Sequence, residues 1–292
     1  MRLYTILRRE TPELAVSFEE GALYPLAENG FAFAEMQQLI EAYDADLRKR
    51  LDALRGHGAA VSADSVKLCA PIIRPRQDVI CLGINYFEHA VEAASFSEEA
   101  FGGERPCTIY FSKRCGYAPG TGETVPSYPG LVGSLDYEAE LGVVLGRAVR
   151  AVPRERALDA VFGYTVINDI SARDLQTRHK QWYLGKSLDG FTPMGPCIVT
   201  ADEIPDPQCL AISSRVNGEL RQSSNTSLQI QTVAGAISEL SQGMTLLPGT
   251  IIATGTPSGV GMGFQPPRFL KPGDEVICEV ERIGALRSII GR

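Results

Sequence analysis

Residue types that most often announce chemistry are scarce in this sequence. It holds three histidines, one tryptophan and seven cysteines with no CxxC pair among them. Cys107 and Cys115 are the closest two, and no second pair or histidine group completes a zinc pattern. An odd, scattered set of this kind predicts reduced, mostly buried thiols in a cytoplasmic protein. Excess positive charge is missing too. The net charge of −7 argues against a nucleic-acid binder, which needs a basic face. No run approaches the roughly 18 uncharged apolar residues of a membrane span, and "MRLYTILRRE" lacks the apolar core of an export signal. Repeats and low-complexity tracts are absent as well. Neither nucleic acid nor membrane is expected as a partner.

What is present is a chain long enough for one large domain and a smaller appendage. Residues 1–33 read as short strands and turns. Residues 34–55, "AEMQQLIEAYDADLRKRLDALR", predict one amphipathic helix, with Met36, Leu39, Ile40, Tyr43, Leu47, Leu51 and Leu54 at helical spacing. Gly56 follows as its cap. Pro71 and Pro75 interrupt helix and central strand alike, which places a boundary near residue 74. Beyond it, runs such as "TIYFS", "EAELGVVLGR", "GYTVIND" and "DEVICEVERIG" alternate between Gly and Pro turns and predict a β-rich domain. Helices are expected only near 85–94, 152–162 and 227–242.

The stretch "LDYEAELGVVLG", residues 135–146, alternates like a half-buried strand, yet sets Asp136, Glu138 and Glu140 on one face. Burying such acids costs several kcal/mol unless something pairs with them. A hard divalent cation would offset both repulsion and desolvation, with Asp169 of "VINDISARD" as a third oxygen ligand. Oxygen donors alone point to Mg²⁺ or Mn²⁺, with Ca²⁺ as the alternative, rather than zinc. A solvated strand face fits this segment equally well. His89 in "GINYFEHAVE" lies three residues before Glu92, so on a helix a carboxylate can orient the imidazole as a general base, although such pairs are common. His57 and His179 read as exposed. Arg173, Gln176 and Lys186 could serve an anionic substrate, or be surface polar groups. The glycine-rich loop "ATGTPSGVGMGF" has neither P-loop nor dinucleotide spacing, and its glycines suit close approach of Gly255 and Thr256 to a small carboxylate.

Together these pieces resemble the fumarylacetoacetate hydrolase family. "GINYFEHAVE", "DYEAELGVVLGR", "GYTVINDISARDLQ", "KSLDGFTPMGP", "VNGELRQ", "LLPGTIIATGTPSGVG" and "LKPGDEVICEVERIG" follow in the family's order across residues 75–292. The resemblance implies a β-rich α+β fold, a roll of mixed β-sheets with a small N-terminal α+β domain over 1–74, usually as a homodimer. It implies metal ligands at Glu138, Glu140 and Asp169 and a catalytic dyad at His89 and Glu92, often on a mobile segment. Lys186 matches the lysine that stabilises the developing anion, Arg173 and Gln176 match site-lining positions, and Thr256 one that holds the substrate carboxylate. Asp136 matches no ligand position and is expected behind the ligands or at the rim. The loop after Lys113 carries Arg114 and Cys115 where small polar residues are usual, which leaves the substrate side chain open.

The implied function is a metal-dependent enzyme acting on 2-oxo or 2,4-dioxo carboxylates, foremost a C–C hydrolase of an acylpyruvate or fumarylpyruvate. Isomerisation of a 2-hydroxyhepta-2,4-diene-1,7-dioate or decarboxylation of oxaloacetate would use the same apparatus. A metal- or carboxylate-binding protein without turnover is the non-enzymatic alternative.

Overall fold

The computed structural model describes residues 1–102 and 107–292. Its frame is a mixed sheet of eleven strands. Three neighbours at its centre, Val161–Asn168, Ala139–Leu145 and Ile251–Ala253, run antiparallel in that order. Parallel pairing of Ile251–Ala253 with Val79–Gly83 then leads to Ile109–Lys113 at one edge. On the other side Met194–Thr200 pairs with Arg2–Arg8, so the N-terminal strands Thr11–Ser17 and Ala22–Pro25 extend the same sheet. A second sheet of five strands, centred on Ala211–Val216 and Glu275–Val280, packs against it. The fold is therefore the β-rich α+β roll of mixed sheets that the sequence implies.

The interface between the sheets explains why these strands are so apolar. Leu141, Val143, Val166 and Val199 from the large sheet meet Ile212, Val276, Cys278 and Leu286 from the small one, all buried. Ala139–Leu145 is buried along its whole length. Polar residues within it therefore need partners nearby.

The segment 34–55 is two helices rather than one, Met36–Ala42 and Ala45–Asp52. The chain leaves helical geometry at Tyr43, and the Asp44 side chain accepts from the Leu47 amide at 2.8 Å to start the second helix. Apolar spacing alone missed this break because Leu39, Ile40, Leu47 and Leu51 reach one core despite it. Asp44→Ala should lower stability by ~1 kcal/mol in thermal melts, the usual cost of losing such a cap, with the remote site unaffected. Among the described residues no helix is long and apolar enough to cross a membrane.

Candidate active site

The carboxylates meet at the end of the central strands. Leu135–Asp136 and Ala139–Leu145 are separate strands joined by a short irregular crossing at residues 137–138. That crossing is fixed to the next strand's end. The Glu138 amide donates to Asn168 Oδ1 at 3.1 Å, and the Asp169 amide donates to the Glu138 carbonyl at 2.9 Å. Carboxyl oxygens of Glu138, Glu140 and Asp169 consequently lie within 4.8 Å of one another, and all three residues are buried. The solvated-face reading of this segment is excluded.

Cations surround the acids without neutralising them. Lys186 Nζ lies 2.8 Å from Glu138 Oε2 and 2.6 Å from Asp169 Oδ2. Lys113 pairs with the other Asp169 oxygen and donates to the Ile170 carbonyl at 2.9 Å. Arg173 donates through Nε to Asp136 Oδ2 at 2.9 Å and through Nη1 to Gln176 Oε1 at 3.0 Å. Its Nη2 lies 2.7 Å from Glu138 Oε1 but off the hydrogen-bond axis, so that contact is ionic and the N–H groups remain unspent. Among the described residues four buried acids thus face three buried cations, one negative charge in excess. A dication would turn the cluster positive by one, the sign that attracts an anionic oxo acid.

The electrostatics of the two strand glutamates differ. Burial would raise the Glu138 carboxyl, but Lys186 and Arg173 overcome it and hold the group well below the usual range. For Glu140 burial acts with Asp169 and Glu138, and together they push its carboxyl well above that range. A hard cation against three oxygen-donor side chains relieves this repulsion, and the donor set fits Mg²⁺ or Mn²⁺. Burial would lower Lys186, yet Asp169 and Glu138 outweigh it, so its ammonium stays charged.

His89 is buried on the helix Phe87–Phe96, with Nδ1 3.0 Å from Glu92 Oε2. Glu92 Oε1 accepts from the Gly259 amide at 2.9 Å, which ties this helix to the glycine-rich loop. A narrow cavity with about 20 Å³ of free space is lined by His89, Glu138, Glu140, Arg173, Gln176, Lys186 and Thr256. The structure thus brings together all the residues singled out in the sequence except His57 and His179, which are exposed.

Asp136 takes the first of its two expected places, buried behind the ligands and not at a rim: it accepts from the Gly261 and Met262 amides and from Arg173. Other placements differ from expectation. The Gly255 amide donates to Glu140 Oε2 at 2.8 Å and so holds an acid of the cluster. The Thr256 hydroxyl donates to the Ala139 carbonyl and accepts from Gln222 Nε2. Neither Gln222 nor the Lys113–Asp169 pairing is legible as a site feature, because each joins segments far apart in the chain. A lysine ending the apolar run of "TIYFSK" was the one available signal.

Gly255 has φ +87°, and an added Cβ would lie 2.7 Å from Asn85 Cβ. Gly255→Ala must therefore shift the amide that positions Glu140. Metal affinity, read by calorimetry with Mn²⁺, should fall by about 10–100-fold, the usual effect of losing a partner that orients a ligand.

A model of the fumarylacetoacetate (FAA) hydrolase C-terminal region matches residues 78–290. The chain is similar to an oxaloacetate tautomerase of Bacillus subtilis, 49% identical over 230 residues, which are 79% of this chain and 75% of that protein. It resembles the solved fumarylacetoacetate hydrolase of the psychrophile Exiguobacterium antarcticum, with TM-score 0.84 and 36% identity over 100% of this chain and 99% of that one. It also resembles a maleylpyruvate hydrolase of Sphingobium sp. SYK-6 solved with manganese(II) and pyruvate, with TM-score 0.79 and 28% identity over the whole of both chains.

Proposed function

The chain belongs to the fumarylacetoacetate hydrolase family, and on that premise we propose that it is a divalent-metal-dependent enzyme that enolises small 2-oxo acids. Tautomerisation of an oxaloacetate-type substrate is the reaction we place first. The observation that carries the reading is the buried carboxylate triad, two of whose members, Glu138 and Glu140, line the same small cavity as His89 and Lys186. Likeness to the 49% identical tautomerase supports placing this reaction first.

A bound Mg²⁺ or Mn²⁺ would supply Lewis acidity toward the 2-oxo carboxylate. His89, oriented through Nδ1 by Glu92, takes the proton from C3 of the substrate. The electron pair moves onto the C2 oxygen, where the Lys186 ammonium offsets the charge. Because Lys186 stays protonated, it acts as a cation and not as the base. Transfer of that proton from His89 to the oxygen gives the enol and restores the base, and the reverse sequence returns the keto acid. Arg173 and Gln176 lie beside these groups and would hold the substrate's carboxylate.

Hydrolysis is the second reading, favoured by the His89–Glu92 dyad and by likeness to the maleylpyruvate hydrolase. There His89 removes a proton from water, the hydroxide adds to the distal carbonyl, and the C–C bond breaks to leave the pair on the same enolate. Isomerisation and decarboxylation would pass through that enolate without attacking water. We further take the protein as a cytoplasmic homodimer, with residues 1–74 as a small N-terminal domain.

The test is a substrate panel with Mg²⁺ or Mn²⁺, scoring enol loss from oxaloacetate, acylpyruvate cleavage and CO₂ release separately. Metal-dependent tautomerisation faster than cleavage is expected. Turnover that survives both chelation and Glu138→Gln would overturn the mechanism.

A further inference from the structure

The lining of the cavity is of two chemical kinds. Its permanent cations among the described lining residues are Lys186 and Arg173, and both are held by ion pairs with Glu138, Asp169 and Asp136. The remainder is covered by Ile84, Ala93, Phe101, Trp182 and Met262. These residues form an apolar cluster separate from the main cores, built from two helices, the glycine-rich loop and the lone tryptophan. Trp182 stacks edge-on against Phe111 at 5.3 Å and tilted against Phe101 at 5.8 Å, and its ring closes over Gly83. Phe111 separates it from Lys186, whose Nζ lies 5.5 Å from the Phe111 ring centre. The polar side chain on the covering helix that faces the cavity is His89, and its Nδ1 is committed to Glu92, itself an acid.

We infer that the site selects by where a substrate carries its charge: negative groups must lie close together beside Lys186 and Arg173, and any longer tail must be uncharged. This rests on the 2-oxo acid reading above. A four-carbon diacid keeps its second carboxylate within reach of Lys186 and Arg173. A seven-carbon dioate would push its distal carboxylate into the aromatic cover, where no described cation meets it and Glu92 adds repulsion. Desolvating an unpaired carboxylate there costs far more than desolvating a methyl group. The dienedioate isomerase alternative is thereby set aside, and acylpyruvates with apolar tails remain accessible.

A matched pair of ligands tests this. Calorimetry on the Mn²⁺-loaded full chain would compare 2-oxoheptanoate with 2-oxoheptanedioate, which differ only in the distal carboxylate. The monoacid should bind at least about tenfold more tightly. Ile84→Arg should narrow or reverse that ratio by supplying a cation in the cover, and Met262→Lys does the same from the loop if the first variant fails to fold. Equal or tighter binding of the dioate by the unaltered protein overturns the inference, whatever the variants do. Pyruvate serves as the control: if it fails to bind the Mn²⁺-loaded protein, the 2-oxo acid reading itself falls, and this inference with it.

Discussion

Glu140→Gln should abolish turnover while making the metal-free protein more stable. Glu140 is buried among Glu138 and Asp169, no cation among the described residues pairs directly with it, and burial and both acids push its carboxyl upward. Removing that charge removes repulsion. The amide oxygen of glutamine can still accept from Gly255, so no hydrogen bond need be lost. The metal-free variant should gain on the order of 1 kcal/mol or more in a denaturant titration. Mn²⁺ affinity should drop at least about 100-fold and activity by about 10³-fold, because an oxygen ligand and its charge are gone.

Glu138→Gln gives the contrast. That carboxylate is held down by Lys186 and Arg173, and breaking a buried pair by removing one partner costs about 3–5 kcal/mol. The sign of the pH dependence follows from the raised Glu140 group. Its contribution to stability is complete below the unfolded carboxyl range and is lost as pH rises through the raised folded value. The stability gap between Glu140→Gln and the unaltered metal-free protein should therefore widen with rising pH and close toward acid. A variant that binds Mn²⁺ normally, or is less stable at neutral pH, contradicts this account.

His89→Ala is the second large effect. The imidazole lies against the cavity with Nδ1 on Glu92, and it pairs with no acid of the metal-binding cluster. Its loss should lower kcat by about 10²–10⁴-fold while Mn²⁺ and pyruvate affinities stay within a few-fold. Glu92→Gln keeps the base but removes its anionic partner, so its kcat should fall between the two. A binding protein without turnover would show no such separation between affinity and rate. If His89→Ala instead loses affinity and rate in step, the residue binds substrate and does not move protons.

The chemistry was more legible in the sequence than the geometry supporting it. Glu138, Glu140, Asp169 and His89 could be singled out because acids inside or just after an apolar strand and a histidine near a glutamate are local signals, whereas the role of Lys186 came from the family resemblance. Strand parity, however, placed Asp136 with Glu138 and Glu140. The chain breaks its alternation at residues 137–138, and Asp136 turns to the loop and Arg173 instead. No local pattern reveals that break, because it is imposed by pairing with Asn168 and Asp169, some thirty residues downstream. Lys113 was hidden for the same reason: its partner Asp169 lies 56 positions away. The two helices at 36–52 were merged because both bury the same stripe, and apolar spacing does not register the change of direction at Tyr43.

The glycine-rich loop carries one last consequence. Its main-chain amides at 255, 259, 261 and 262 reach three different acids: Glu140, Glu92 and Asp136. One short stretch of backbone thus acts as a jig that sets a ligand of the metal, the partner of the base and the anchor of Arg173 in a single mutual spacing. At Gly259, with φ +101°, an added Cβ would run into the Arg221 carbonyl, so the jig also tolerates no side chain there. The information for catalytic alignment is written in peptide N–H groups, which truncating neighbouring side chains leaves untouched. Replacing single amides by esters would read it directly, and drift among sequences of this kind should fall on the side chains of the loop while its path stays fixed.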